Sequence, residues 1–65
     1  MKYYNVYIIN ITTGKAVRRI GHLLSLAKAE KRVMTGLMRI NDGFYTAEFL
    51  VGSEQDTKLK NDLIK

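Results

Sequence analysis

Ser25 and Lys28 stand one helical turn apart, the spacing at which a lysine amine reaches a serine hydroxyl in some acyl-transferring serine enzymes. Those enzymes need a much larger scaffold and further motifs that this chain lacks, so the pair reads as a helix N-cap serine beside a surface lysine. His22 is the only histidine. It falls between Gly21 and the helix that Ser25 opens, where the helix dipole disfavours a cation, so a solvated or packing role is expected in place of a catalytic base. With no cysteine in the chain, disulfides, thiolate metal sites and cysteine nucleophiles are excluded. One histidine with scattered acids does not supply the three or four ligands of a metal centre, and neither a metal nor another cofactor is expected.

Gly14-Lys15 lacks the upstream glycine and the following Ser or Thr of a phosphate loop, and reads as a hairpin turn. Asn10-Ile11-Thr12 has the form of a glycosylation acceptor, but the apolar run of the opening segment is broken by Asn5 and Asn10, unlike a secretion signal. Asn10 is expected to end a strand. Glu30 projects about 40° from Leu26 on a helical wheel, inside the apolar arc. An unpaired carboxylate is costly there, so a rim position or a partner such as Lys2, Arg19 or a tyrosine hydroxyl is expected. Glu48 reads as a strand-surface or interface charge. Nothing places two carboxylates at the separation that hydrolysis of a glycoside needs, and the chain is read as non-enzymatic.

The stronger chemical signal is cationic. Residues 1–39 hold Lys2, Lys15, Arg18, Arg19, Lys28, Lys31, Arg32 and Arg39 against Glu30 alone, a net charge of +7, while residues 40–65 carry −2. A positive stripe formed by Arg18, Arg19, Lys28, Lys31, Arg32 and Arg39 would attract phosphates without reading sequence. No zinc-finger spacing, GXXG loop, RNP1 consensus or helix-turn-helix pattern accompanies it.

These residues must be carried by few elements. Sixty-five residues with 46% apolar content make one small folded α+β domain over 1–65, whose thin core leaves self-association as a source of stability. Residues 2–12 are rich in Tyr, Val, Ile and Thr and read as a strand, apolar on both faces as a central strand would be. Thr12 to Lys15 form the turn, residues 16–20 return, and Gly21 ends the second strand. The segment 26–40 has helical periodicity, with Leu26, Ala29, Val33, Leu37 and Ile40 on one stripe and Lys28, Lys31, Arg32, Thr35 and Arg39 opposite. Gly36 inside it points to a close approach to a strand. Asn41-Asp42-Gly43 is a turn, residues 44–51 are a third strand, and 53–65 can be read as a short helix or a strand.

The expected fold is therefore β-β-α-β-(α), with a three-stranded antiparallel sheet in order 2-1-3 packed on one amphipathic helix. If Tyr4, Val6, Ile8, Tyr45, Ala47 and Phe49 meet the helix, then Tyr3, Tyr7, Ile9, Phe44 and Leu50 lie on the other face. That face could be covered by the C-terminal segment, serve as a homodimer or partner interface, or stack on bases. An outer strand, the second or the third, offers a further route to association. The sequence thus predicts a small cytoplasmic accessory or regulatory binding protein with no membrane segment, homodimeric, with nucleic acid as the favoured ligand. The alternative is a protein-binding modulator or inhibitor acting through the apolar sheet face or an edge strand.

Overall fold

The computed structural model describes residues 2–37 and 42–64. Five elements follow one another: β1 (Tyr4–Asn10), β2 (Ala16–Leu24), α1 (Leu26–Leu37), β3 (Phe44–Leu50) and α2 (Glu54–Ile64). The strands form one antiparallel sheet in the order β2-β1-β3, the α+β arrangement that the sequence predicts. β1 is central because its side chains are apolar in both directions. Val6 on one face and Tyr7 and Ile9 on the other are fully or almost fully buried.

The β1–β2 hairpin is closed by Asn10. Its N–H bonds the Lys15 carbonyl at 3.0 Å, its carbonyl accepts from the Gly14 N–H at 2.8 Å, and its side-chain oxygen takes the Thr12 N–H at 2.8 Å. Asparagine competes well for local backbone donors, which is why it stops a strand and starts a turn. At the other side, the Ile11 N–H bonds the Gly43 carbonyl at 2.9 Å and the Val51 N–H bonds the Tyr3 carbonyl at 2.9 Å, fixing the β1–β3 register from both ends.

The tail is the helix α2, and it lies across the face that carries Tyr7 and Ile9. Leu59 packs into a cluster with Tyr7, Ile9 and Ala16, with Phe49 and Leu63 against it. Ser53 caps this helix by accepting the Asp56 N–H at 3.2 Å, and Glu54 and Asp56 place negative charge in the first turn, where the dipole favours it. Helix α1 covers the opposite face. Its approach is set by Gly36, where a Cβ would stand 2.7 Å from Thr46 Cγ2 and 2.8 Å from Ile20 Cδ1. The Thr46 hydroxyl donates to the Val33 carbonyl at 2.8 Å and pins helix to strand.

Three sequence expectations are corrected. First, β3 has the opposite parity. Ile8 faces Thr46 and Val6 faces Glu48 on the α1 side, whereas Tyr7 faces Ala47 and Ile9 faces Tyr45 on the α2 side. A shift of one residue exchanges the faces of a strand, and the composition of β3 is similar on both. Second, Gly21 does not end β2. It is buried inside the strand, where a Cβ would meet Val6 Cβ at 3.0 Å; the glycine marks a close approach, not a stop. Third, Leu26 is 47% exposed, because the buried line of α1 runs through Ala29 and Gly36. Ile40 lies outside the described residues.

Candidate nucleic-acid interface

The second strand is irregular, and it carries two of the arginines. Against β1 it shifts register three times, between Tyr4 and Val6, between Val6 and Tyr7, and between Ile8 and Ile9. Leu23 sits at φ +52°, the left-handed region that leucine rarely enters. Its N–H is held by the Asn5 side-chain oxygen at 3.0 Å. Bulges of this kind bend and twist a strand and re-aim its side chains. Arg18 lies opposite Ile8 and Arg19 opposite Tyr7.

With α1 drawn close by Gly36, an open cleft of about 450 Å³ forms between β2 and the second half of α1, lined by Ile8, Arg18, Arg19, Ile20, Arg32, Thr35 and Gly36. A shallower hollow of about 220 Å³ continues along the helix, lined by Leu24, Lys28, Lys31, Arg32 and Thr35. Arg32 and Thr35 belong to both, so the two make one strip. Five of the six cations expected to act together border it, four of them on the α1 side, while Arg19, paired with Tyr7, is directed to the α2 side of β2. The sixth, Arg39, lies outside the described residues.

No carboxylate lines either hollow. Among the described residues the ion pair present is Lys58 with Asp62 at 3.8 Å, on α2 and away from the strip. Arg18, Arg19, Lys28, Lys31 and Arg32 are all exposed. Arg18, opposite Ile8, and Arg32 border this concavity from strand and helix, and each guanidinium offers a planar fork of donors suited to phosphate oxygens, whereas Arg19, opposite Tyr7, projects by strand alternation to the α2 side. No aromatic ring lines the strip, which fits contact with a backbone and not stacking on bases.

The residues expected on an open sheet face are distributed otherwise. Tyr7 and Ile9, at 0% and 1% exposure, are inside the protein beneath α2 and are not available as an interface. Tyr3 and Leu50 remain at the surface and Phe44 is half-buried. Parity also separates these residues. Phe44 and Leu50 belong to the α1 side, opposite Asn10 and Tyr4.

Sequence reasoning missed a buried polar hub. The Asp56 carboxylate accepts the Tyr7 hydroxyl at 2.7 Å and the Asn5 amide at 2.8 Å on Oδ1, and the Gly52 N–H at 3.1 Å on Oδ2. Burial alone would raise its pKa, but the hydrogen bonds from Tyr7, Asn5 and Gly52 prevail and hold the carboxyl below its ordinary value. Burial, the hydrogen bond to Asp56 and its charge push the Tyr7 phenol up to about 12. The available signal was a polar Asn5 inside an apolar central strand, which requires a partner.

The histidine and acids considered for catalysis are dispersed. His22 is exposed on β2 and Glu30 exposed on α1, a rim position, while Glu48 is half-buried on β3. None of the clefts described brings these three together. Among the described residues there is no group of three or more His, Cys, Asp or Glu that could hold a metal. None of their helices is long and apolar enough to cross a membrane. Comparison with protein-family models, with curated proteins and with solved structures gives no match, and the strip is read from its chemistry alone.

Proposed function

We propose that this protein is a non-enzymatic accessory or regulatory protein of the cytoplasm that binds nucleic acid through the sugar-phosphate backbone. The observation that carries the reading is the strip bordered by Arg18, Arg19, Lys28, Lys31 and Arg32, whose two hollows have no carboxylate in their lining, with Glu30 in a neighbouring hollow beside Lys28 and Lys31. Cations that neutralise several phosphates release counterions and bind without regard to sequence. The missing aromatic lining and the missing readout motif both favour this general mode over base recognition.

Charge reversal tests it. Lys28→Glu combined with Arg32→Glu should abolish retention on DNA or RNA at low salt, with the folded state intact by circular dichroism. Lys60→Glu, on the exposed side of α2, should leave most of it. Retention unchanged by the double substitution refutes the assignment. A second reading, a protein-binding modulator, is favoured by one observation only, the open outer edge of β3. Comparing material recovered from native cells with and without nuclease treatment separates the two.

A further inference from the structure

The ladder between β1 and β3 runs without a register shift through seven pairs, from Tyr4 opposite Leu50 to Asn10 opposite Phe44. In an antiparallel ladder, residues whose backbone groups face the neighbour alternate with residues whose groups face away. The bonds of Gly43 and Val51 to β1 set that alternation. Tyr45, Ala47 and Phe49 turn their backbone inward to β1, and Phe44, Thr46, Glu48 and Leu50 present theirs at the outer edge. β3 is a terminal strand of the sheet, so this regular row faces outward, with the Leu50 carbonyl at its end accepting the Ser53 N–H at 3.0 Å and keeping a second lone pair for a partner. The other terminal strand differs. β2 is broken by three register shifts and bears Arg18 and Arg19, the devices that blunt an edge against pairing.

We propose that β3 pairs antiparallel with β3 of a second copy of this chain about a two-fold axis at Ala47, giving a continuous six-stranded sheet. Outward groups must meet outward groups, which leaves three registers that overlap most of the strand. One sets Glu48 against the partner's Glu48, placing like charges opposite each other. Another sets Thr46 against Thr46, brings Phe44 against Glu48 and leaves Leu50 without a strand partner. The third sets Ala47 against Ala47 and uses all seven residues. It joins Phe44 to Leu50, Tyr45 to Phe49 and Thr46 to Glu48, each twice. Apolar side chains that the single copy leaves at the surface, Tyr45 at 40% and Leu50 at 37%, then acquire aromatic partners across the axis.

Glu48 gives this register further weight. Its Oε2 is buried without a hydrogen-bond partner among the described residues, and opposing it with a second carboxylate would be costly. The axis stands perpendicular to the sheet, so the α1 helices of both copies share one face. The cationic clefts lie at the β2 edges, five strand spacings or about 24 Å apart, and stay open. The inference does not depend on what the clefts bind.

The test uses the absence of cysteine from the chain. In the proposed register the two Ala47 residues form a non-hydrogen-bonded pair, with Cα atoms about 4.5 Å apart, within the range a disulfide spans. Ala47→Cys should convert to a covalent dimer under mild oxidation. Tyr45→Cys, whose symmetry mate is four residues along the strand and about 14 Å away, should stay monomeric. Glu48→Pro removes one outward N–H and no bond to β1, so it should turn the native dimer into a folded monomer in sedimentation equilibrium. The proposal is overturned if the native chain sediments as a monomer at every concentration, if Tyr45→Cys cross-links as fast as Ala47→Cys, or if Glu48→Pro remains dimeric.

Discussion

Arg32 is the side chain on which the two hollows meet, while Asp56 is the one on which the fold closes, and the two show opposite uses of charge. Arg32 is exposed among other cations and takes no part in the ion pair found among the described residues. Asp56 is 4% exposed and satisfied by three donors from β1 and the β3–α2 turn. Asp56→Ala would leave the Tyr7 hydroxyl and the Asn5 amide buried without an acceptor, and we expect a loss of about 3 kcal/mol in urea denaturation. That is a large part of the stability of so small a domain.

The pH dependence follows from the same hub. Asp56 has a folded pKa below its unfolded value, so its contribution is present above pH ~4 and is lost as pH falls through the folded value. Tyr7 has a folded pKa raised to about 12. Its contribution is complete below the unfolded value near 10 and is lost as pH rises from there through about 12. Tyr7→Phe should cost about 1 kcal/mol at neutral pH and flatten the loss of stability between pH 10 and 12. An unchanged alkaline limb in the variant would contradict the assignment.

At the scale of elements, the tightest constraint is the crossing of α1 over the sheet at Gly36. Alanine there would gain about 1 kcal/mol in helix propensity, but its Cβ would stand inside 3.0 Å of both Thr46 and Ile20. Overpacking of this kind costs about 1–3 kcal/mol, so Gly36→Ala should be net destabilising by about 1 kcal/mol and should widen the cationic cleft. A stabilised variant would show that the helix is free to lift.

The strand order and the principal helix were legible in the sequence, because alternation along 2–12 and the 3.6-residue period after Ser25 are local signals. The role of Gly36 was also legible, since a glycine inside a periodic helix needs a packing reason. Parity of β3 was not legible, because it depends on how the turn at Gly43 meets Ile11, and both faces of 44–51 are comparably apolar. Nor was the hub. Asn5 and Asp56 are 51 residues apart, and either alone is an ordinary polar residue. The cations were identified by type, but which of them border one hollow depends on how α1 packs against β2, which no local pattern announces.

For the molecule as a whole, the division of charge acquires a spatial meaning. The excess of positive charge in residues 1–39 is concentrated where β2 and α1 meet, and the single described ion pair is on α2, against the other face. The longest extent of the chain is 33 Å, so one copy would cover on the order of ten base pairs of duplex at ~3.4 Å each. In the proposed complex the number of phosphates neutralised would set the salt sensitivity, each contributing about 0.9 to the slope of log affinity against log salt. The most direct measurement is therefore that slope for the native chain on a duplex of random sequence. A slope between about −3 and −5, reduced by about 1 in Arg32→Ala, is the predicted result. Affinity indifferent to salt, or a slope untouched by that substitution, would contradict a phosphate-binding strip at Arg18, Arg19, Lys28, Lys31 and Arg32.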